Sequence, residues 1–327
     1  MILLVGATGL LGHNVLELLL RQGRRVRCIV REGSSIDSAV TSQAIEGQLD
    51  IVTGSILDES LLERCIGGCN EVVNCAGVTD MSHASIDDYR PVNTWLPLKL
   101  AELLDAGSGG TLVDVSTANT VEPGTAGHPS DEDSPFDGPF SASLYARSKR
   151  ESERALMEFA QTHLRTRVVI LMPGFMIGPY DCKPSSGKLL LTAYRKPLMA
   201  VPAGGKSFID ARDVASAVAG ALSNPLVQGR YLTTGKALSL KEFYNEQKAV
   251  CGYRQLCLTL PRWLCLWVGG LGDWLEKHGK RNLFTSRNVR QLLVLEYYDD
   301  SRARRELGMT CTPLQQSIKD FFDYNER

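Results

Sequence analysis

The sequence predicts an α/β fold in which helices cover both faces of a doubly wound parallel sheet, with a smaller C-terminal lobe. Short apolar runs recur along the chain, the first at residues 2–5, and a run without alternation is typical of a strand buried on both faces. Stretches with helical spacing follow, such as residues 13–22. A glycine-rich turn joins this first strand to this first helix, and 327 residues suffice for a large core.

Composition predicts a globular, soluble chain. Charged residues make up 22% of the chain and the formal net charge is -1, so the whole-chain balance indicates neither nucleic acid nor an anionic membrane. The nine cysteines are scattered, which favours free thiols in a reducing cytoplasm and predicts no metal site. The N-terminus lacks a basic leader, and Arg262 and Asp273 interrupt the apolar run at 256–275; we expect no signal peptide and no transmembrane segment.

The turn after the first strand reads Gly6-Ala7-Thr8-Gly9-Leu10-Leu11-Gly12. In a dinucleotide-binding turn the first glycine allows a tight bend, the second lets the backbone approach the pyrophosphate, and the third lets the helix pack on the strand. The helix N-terminus then offers unpaired N–H groups to phosphate. Because the motif follows a strand and precedes a helix, it predicts a dinucleotide site.

The second strand, residues 26–30, is followed by Arg31. An NAD site usually has an acid here that binds the ribose 2′-hydroxyl. A guanidinium, with the hydroxyls of Ser34 and Ser35, suits a 2′-phosphate instead, so we expect NADP rather than NAD. The alternative is a solvated Arg31 with Glu32 as the ribose acid.

Residues 51–58 predict the third strand and its turn, and residues 71–75 the fourth, which ends at Cys75-Ala76-Gly77. Small residues there would let a cofactor ribose lie close to the backbone. A helix near residues 92–105 carries Asn93, which we expect to bond the nearby chain or, alternatively, water near the site.

Ser116 and Thr117 follow the fifth strand, at the sheet edge where ligands bind in open α/β folds. After a long loop, the helix at 144–161 carries Tyr145 and Lys149 one turn apart on the same face. An ammonium beside a phenol favours the phenolate, which would lower the pKa of Tyr145 and suit it to proton transfer. By itself the pair is weak evidence, because this spacing is common on helices in which the tyrosine packs and the lysine is solvated.

Taken together, these segments resemble the extended short-chain dehydrogenase/reductase family and its NAD-dependent epimerase/dehydratase-like members. The resemblance is greatest to dihydroflavonol reductases and hydroxysteroid dehydrogenases, and residues 181–188 are similar to a loop of that group. The matching segments are residues 6–12, 116–117, 145–149, 173–179, 208–215 and 229–234.

The resemblance implies that Tyr145 is the catalytic acid/base and that Lys149 binds the nicotinamide ribose and lowers the tyrosine pKa. It further implies that Thr117, or alternatively Ser116, bonds the reacting oxygen, and that helices near 94–105 and 144–161 form a homodimer. The expected cofactor contacts are Gly6, Thr8, Gly9, Leu10, Leu11, Gly12, Arg31, Ser34, Ser35, Ser55, Ile56, Cys75, Ala76, Gly77, Tyr145, Lys149, Pro173, Phe175 and Met176.

Four residues depart from the family pattern. Ser55 stands where an aspartate often meets the adenine, so that contact would rest on Ser55 and the Ile56 backbone. Trp95 stands where glycine is frequent. Met172 replaces a frequent arginine and Phe175 a frequent substrate-facing asparagine, and both argue against a nucleotide-sugar substrate.

We expect residues 1–180 and 208–234 to form the dinucleotide-binding domain, and residues 181–207 and 235–327 the substrate-binding lobe. Within this lobe, residues 261–277 predict an amphipathic helix with three tryptophans. Its apolar face either packs on the lobe, forms a wall or lid over an apolar substrate, or makes a weak membrane-surface contact.

Three functional hypotheses follow. The first is an NADP-dependent reductase or dehydrogenase acting on an apolar alcohol or ketone. The second is an epimerase or dehydratase that retains its cofactor through the cycle. The third is a nucleotide-binding sensor or scaffold without turnover, for which an intact tyrosine–lysine pair has no purpose.

Overall fold

The computed structural model of the protein describes residues 1–181, 186–278 and 285–325. Residues 182–185 of the predicted family-like loop therefore lie outside the described residues. The strands are β1 (Ile2–Val5), β2 (Val26–Val30), β3 (Leu49–Thr53), β4 (Glu71–Asn74), β5 (Gly110–Val115), β6 (Thr166–Pro173), β7 (Phe175–Ile177), β8 (Leu198–Val201), β9 (Gly205–Asp210), β10 (Gly229–Thr233), β11 (Lys236–Ser239) and β12 (Leu256–Thr259). The α-helices are α1 (Leu10–Arg21), α2 (Ser38–Thr41), α3 (Glu59–Ile66), α4 (Leu96–Ala106), α5 (Leu144–Thr162), α6 (Lys188–Ala193), α7 (Ala211–Ser223), α8 (Leu240–Cys251), α9 (Arg262–Lys277), α10 (Ser286–Leu292), α11 (Ser301–Leu307) and α12 (Leu314–Asn325).

A seven-stranded parallel sheet forms the centre of the molecule, in the order β10-β6-β5-β4-β1-β2-β3. The chain winds from β1 toward β3 in one direction and from β4 toward β10 in the other. The switch between β1 and β4 opens a crevice at the carboxyl ends of the strands, which is where such folds bind dinucleotides. The predicted doubly wound Rossmann architecture is confirmed.

Both faces of this sheet are buried, as the uninterrupted apolar strands predicted. On one face α1 and α7 pack against the strands, with Leu16 and Val218 fully buried. On the other face α3, α4 and α5 supply the core, with Leu62, Leu100 and Leu156 fully buried. The two layers fix the helix that carries Tyr145 directly against the sheet.

A smaller lobe is built on a three-stranded sheet, in the order β11-β9-β7, and on the pair β12-β8. Its apolar core includes Leu190 of α6, Phe243 of α8 and Phe321 of α12. One element of the predicted lobe, α11, instead packs on α7: a Cβ placed on Gly220 would lie 1.8 Å from the Leu307 carbonyl oxygen. The predicted domain boundaries stay a prediction.

The first helix begins earlier than the apolar spacing at 13–22 predicted. Helix α1 starts at Leu10, with Gly9 as its N-cap, so half of the glycine motif lies in helical structure. The prediction took the whole motif as a turn, because glycine is a poor helix former. Gly12 is nonetheless required there, since a Cβ on it would lie 2.1 Å from the Gly6 carbonyl oxygen.

Helix α9 confirms the predicted helix at 261–277 but not the interpretation in which its apolar face packs on the lobe. Trp263 is 70% exposed and Trp267 is 66% exposed. Within the described ranges, no helix is long and apolar enough to cross a membrane.

Candidate active site

The glycine turn brings β1, α1 and the end of β4 into close contact. Gly6 has a φ of +84°, and a Cβ on it would lie 2.6 Å from the Ala76 nitrogen. A Cβ on Gly9, by contrast, would meet only the Gly6 carbonyl oxygen at 3.6 Å. No side chain caps the N-terminus of α1. Open space at Gly9 beside an uncapped helix N-terminus fits the pyrophosphate of a dinucleotide.

The turn after β2 presents Arg31 to solvent. The Ser34 N–H donates to the Arg31 carbonyl oxygen at 3.0 Å, and Gly33 has a φ of +72°. Arg31, Glu32 and Ser35 are exposed. Among the described residues, the Arg31 guanidinium has no ion pair or hydrogen bond, so all its donors are available to a ligand.

His13 of α1 holds the segment that follows this turn. Its Nε2 accepts the Asp37 N–H at 3.0 Å, and its Nδ1 lies 3.0 Å from the Gly9 carbonyl oxygen. An accepting Nε2 requires a neutral ring with the proton on Nδ1. Burial lowers the pKa of His13, which favours that neutral form, although Asp37 acts in the opposite direction.

Ser55 and Ile56 follow β3. The Ser55 side chain is exposed, and its Oγ accepts the Leu57 N–H at 3.2 Å. Ile56 packs partly into the core beside the sheet. Ser55 therefore stabilises its own turn while remaining accessible.

The loop after β4 is fastened to the two neighbouring helical segments by Asn93. Its amide oxygen accepts the Val78 N–H at 2.8 Å, and its nitrogen donates to the Val78 carbonyl at 3.0 Å and to Ser148 Oγ at 3.0 Å. A Cβ on Gly77 would lie 3.6 Å from the Lys149 Nζ. Asn93 thus has the chain-bonding role expected for it, and it positions the small residues at 75–77 beside Lys149.

Tyr145 and Thr117 meet at the carboxyl end of β5. The phenol of Tyr145, in the first turn of α5, lies close enough to the Thr117 hydroxyl for that hydroxyl to lower its pKa. Thr117 Oγ1 accepts the Asn119 N–H at 3.3 Å, which leaves its own proton for the phenol oxygen. The surrounding protein raises the pKa of Tyr145 to about 12 because burial disfavours the phenolate, and the Thr117 hydroxyl offsets only part of this. The phenol is protonated at neutral pH.

Lys149 lies one turn beyond Tyr145 and is buried. Its Nζ donates to the Val115 carbonyl oxygen at 2.8 Å. Burial lowers the pKa of Lys149, while the carboxylates of Asp114 and Glu153 raise it. The pKa of Tyr145 moves in the direction opposite to the one predicted from Lys149, because desolvation by burial is the largest influence on it and the nearby Tyr89 and Glu153 also raise it.

Sequence reasoning missed Glu153, the next residue in the series that Tyr145 and Lys149 begin at spacings of four. Glu153 is buried, accepts a hydrogen bond from Ser116 Oγ, and forms an ion pair with Arg230 at 3.0 Å. The continued spacing was the available signal. The Ser116 hydroxyl therefore donates to Glu153, and Thr117 is the hydroxyl that lowers the pKa of Tyr145.

The predicted site residues lie at the strand ends and turns of the carboxyl edge of the central sheet, in the first turns of α1 and α5, and on β7. The glycine turn, residues 75–77, Thr117, Tyr145 and Lys149 cluster around the ends of β1, β4 and β5. Arg31, Ser34, Ser35, Ser55 and Ile56 lie separately, beyond the ends of β2 and β3, as a ligand that spans the switch point requires.

Apolar and aromatic side chains lie where β6 ends and near Tyr145. Pro173 is buried, while Phe175 and Met176 are half-buried on β7. The Phe175 ring packs edge-on against Phe208 with centroids 5.5 Å apart. Tyr89 lies on another side of the site, with its ring centroid 6.3 Å from that of Tyr145. Tyr89 is therefore an aromatic neighbour of Tyr145, and Phe175 and Met176 are apolar side chains at the start of the lobe.

Comparison with known proteins finds relatives over nearly the whole chain. A sterol demethylase protein B from Methylococcus capsulatus is 26% identical over 324 residues, covering 97% of this chain and 96% of that protein. A putative dihydroflavonol 4-reductase from Synechocystis is 27% identical over 330 residues, covering 96% and 91%.

Solved structures share the fold. The structure of gox2253 superposes with a TM-score of 0.83 at 20% identity, covering 100% of this chain and 98% of that one. The Thermus thermophilus UDP-glucose 4-epimerase complex with NAD gives a TM-score of 0.74 at 19% identity, covering 99% and 98%. The model of the NAD dependent epimerase/dehydratase family matches residues 2–231. The chain therefore belongs to this family, as the sequence predicted, and is an NAD(P)-dependent enzyme of the extended short-chain dehydrogenase/reductase type.

Proposed function

We propose that the protein is an NADP-dependent reductase or dehydrogenase that interconverts an apolar ketone and its alcohol. The observation that carries this proposal is the set Thr117, Tyr145 and Lys149. A protonated phenol lies beside a threonine hydroxyl that acts on its pKa, and a buried lysine lies one turn further along the same helix. Two hydroxyls directed at one point suit a carbonyl oxygen that becomes an alcohol.

In the reductive direction, the carbonyl oxygen of the substrate accepts hydrogen bonds from Tyr145 and Thr117. The bound nicotinamide supplies the hydride chemistry. Tyr145 gives its proton to the oxygen as negative charge develops there, and the Thr117 hydroxyl stabilises that charge. The Lys149 ammonium lies beside Gly77, where it can hold a ribose hydroxyl, and its positive charge stabilises the phenolate left on Tyr145.

The apolar substrate class rests on the walls of the site. Phe175 and Met176 offer no hydrogen-bonding groups for a sugar ring, and Met172 is fully buried in the core rather than facing a phosphate. The names of the two relatives refer to a sterol and a dihydroflavonol, both ring compounds with large apolar surfaces. A screen should therefore begin with ketosteroids and dihydroflavonols, with a UDP-sugar for comparison.

The first test is Tyr145→Phe, assayed with NADPH and the best ketone from this screen. We expect turnover to fall by roughly 10²- to 10⁴-fold, the usual contribution of a general acid, with cofactor-induced thermal stabilisation retained. Tyr253→Phe, in the lobe, is the matched control and should leave turnover unchanged. Wild-type turnover in Tyr145→Phe would exclude the proposed role.

The family relationship makes epimerase or dehydratase activity the second candidate. It differs in one measurable respect: the cofactor is reduced and reoxidised within a cycle, so no net NADPH is consumed. Stoichiometric loss of NADPH absorbance with product supports the reductase. Product formation from a UDP-sugar with a tightly retained cofactor supports the epimerase.

A homodimer through α4 and α5 belongs to the same proposal and is tested by sedimentation equilibrium.

The cofactor preference is tested at Arg31. We expect Arg31→Ser to weaken NADPH binding by about tenfold or more while changing NADH binding little, because a charge-assisted bond to phosphate contributes about 1.5–3 kcal/mol. Isothermal titration with each cofactor measures this. Arg25→Ser, another exposed arginine, is the control. Equal losses for both cofactors, or none, would contradict the 2′-phosphate assignment.

A further inference from the structure

Helix α9 has its large apolar side chains on the outside. The residues that it buries are small, namely Cys265, Gly269 and Gly272. Gly269 lies against α10 so closely that a Cβ on it would be 2.9 Å from the Ser286 Cα. An amphipathic helix in a globular protein normally shows the reverse arrangement, with its bulky apolar stripe in the core.

The exposed side of α9 is a continuous stripe. Its members are Trp263, Trp267, Leu271 and Trp274, at 70%, 66%, 47% and 55% exposure. Their spacings of four, four and three confine them to about 80° of the helix surface at about 100° per residue. We call these four residues the tryptophan face. It contains three of the four tryptophans of the chain.

The short sheet that leads into α9 exposes further apolar side chains. Leu198 of β8 is directly paired with Leu256 of β12, and both are exposed, as is Leu258 two residues on. On the opposite side of this sheet, the side chains of Cys257 and Val201 are buried. Strand β12 runs into α9 with only residues 260 and 261 between them.

Exposed positive charges flank these apolar residues. They belong to the stretches 194–201 and 252–278, both fully described, in which Glu276 is the one exposed acid. Asp273 is turned inward and accepts the Ser286 N–H at 2.8 Å. Within the described ranges, none of the flanking cations forms an ion pair. The exposed basic residues are Arg195, Lys196, Arg254, Arg262 and Lys277.

The tryptophan face lies near the candidate active site. Helix α9 packs on α10, and α10 packs on the turn Pro139–Ala142, which immediately precedes the helix that carries Tyr145. Arg287 of α10 is close enough for its charge to act on Tyr89, which in turn lies beside Tyr145. One helix therefore separates the exposed face from the rim of the site.

We propose that the tryptophan face docks on the surface of an anionic lipid bilayer, with α9 lying in the plane of the interface. Tryptophans are favoured at the boundary between headgroups and acyl chains, and a helix that combines an apolar face with basic residues binds anionic lipid there. A helix of 16 residues with Asp273 and three glycines lies on a bilayer rather than across it. The exposed basic residues Arg195, Lys196, Arg254, Arg262 and Lys277 favour an anionic lipid surface over an uncharged apolar protein surface as the binding partner.

The consequence for function is access to lipid-dissolved compounds. An enzyme held with this face on a bilayer would have the rim of its site next to the membrane, where apolar ketones and alcohols partition. Docking itself does not depend on the proposed reductase activity, so the two are tested separately.

The test uses the full chain carrying Trp95→Phe, so that the only tryptophans are those of the tryptophan face. Vesicles of phosphatidylcholine with about one third phosphatidylglycerol are compared with vesicles of phosphatidylcholine alone. We expect co-sedimentation with the anionic vesicles, a blue shift of tryptophan emission, and weaker binding at high salt. Brominated lipids should quench the emission.

Two sets of variants assign the effect. Trp263→Ser with Trp267→Ser and Trp274→Ser should reduce vesicle binding by at least about tenfold, whereas Leu164→Ser with Leu226→Ser, both 89% exposed elsewhere, should not. Arg195→Gln with Arg254→Gln and Arg262→Gln should remove the preference for anionic vesicles, with Arg25→Gln as the control.

Several results would overturn the proposal. These are the absence of vesicle binding by the full chain, binding that the tryptophan variant retains, and emission that brominated lipids do not quench. Self-association that is lost in the tryptophan variant without any vesicle binding would show a dimer interface instead. Cofactor-induced stabilisation checks folding of each variant, and Trp267→Ser alone serves if the triple variant fails to fold. Turnover of a water-soluble ketone without vesicles tests the reductase independently.

Discussion

Tyr145 is acted on by opposing influences at the scale of a single side chain. The protein around it raises its pKa to about 12, and the Thr117 hydroxyl reduces that rise. A phenol with so high a pKa is a proton donor at neutral pH and becomes a base only when positive charge approaches. The buried Lys149 ammonium is one turn away, but Asp114 and Glu153 share its field.

Thr117 and Ser116 are neighbours with different predicted effects. Thr117→Val removes the hydroxyl beside Tyr145, so we expect turnover to fall by about tenfold or more. It also removes the acceptor of the Asn119 N–H, so we expect a stability loss of about 0.5–2 kcal/mol. Ser116→Ala leaves the buried Glu153 without one donor, so we expect about 1–3 kcal/mol less stability and near-normal turnover per folded molecule. Urea unfolding and steady-state kinetics on both variants measure this, and the reverse pattern would exchange their assignments.

At the scale of a secondary-structure element, helix α1 contributes to two parts of the expected cofactor site. Its N-terminus provides the candidate phosphate site, and its buried His13 fixes the segment that follows Arg31. The His13 ring stacks on the ring of Tyr180, which lies in a loop far away in sequence, with ring centroids 5.6 Å apart. A single helix thus links both halves of the expected cofactor site.

The neutral state of His13 gives a pH prediction. Because burial lowers its pKa below the ordinary 6.5, His13 contributes stability that is complete above that value and is lost as the pH falls through the lower, folded-state pKa. His13→Gln can still accept the Asp37 N–H but does not titrate. We expect wild-type melting temperature to fall more steeply than that of His13→Gln from about pH 7.5 to about pH 5. Parallel curves would show that His13 does not titrate there.

At the scale of the whole molecule, the central sheet and the lobe join where β6 passes into β7. Gly174 occupies this junction, and a Cβ on it would lie 2.5 Å from the Ser207 carbonyl oxygen and 2.9 Å from that of Thr234. All of the crowding atoms are backbone, so neither side can yield easily.

Gly174→Ala should therefore destabilise the protein by about 1–3 kcal/mol, as overpacking does. It should also weaken activity more than cofactor binding, because the β6–β7 connection positions the substrate wall. Gly127→Ala is the matched control: a Cβ there meets nothing within 4 Å, and we expect a change of about 0.5 kcal/mol or less. Thermal unfolding measures the stability of both variants. An equal loss of stability in Gly174→Ala and Gly127→Ala would contradict the packing argument.

The order of elements was predictable because local patterns carry it. Strands β1 and β2 end where the apolar runs end, and helix α5 begins at Leu144, where the Tyr–Lys segment predicted. The start of α1 was not predictable from apolar spacing, since its first turn consists of motif residues chosen for close backbone approach. The net charge of -1 also gave no sign of the exposed basic residues near β8, β12 and α9, because a sum over 327 residues does not say where the charges lie.

The sequence by itself determined the family, the doubly wound sheet and the residue types at the sheet edge, since glycine turns, continuous apolar runs and helical spacing are short-range properties. Only the tertiary structure decided which hydroxyl meets Tyr145, because Ser116 and Thr117 are adjacent and the choice depends on Glu153 from another element. It likewise decided the direction of the Tyr145 pKa, which depends on burial. It also decided that α9 exposes its tryptophans. Their exposure depends on which face of α9 is covered by α10, and the helical spacing of the apolar residues does not predict that.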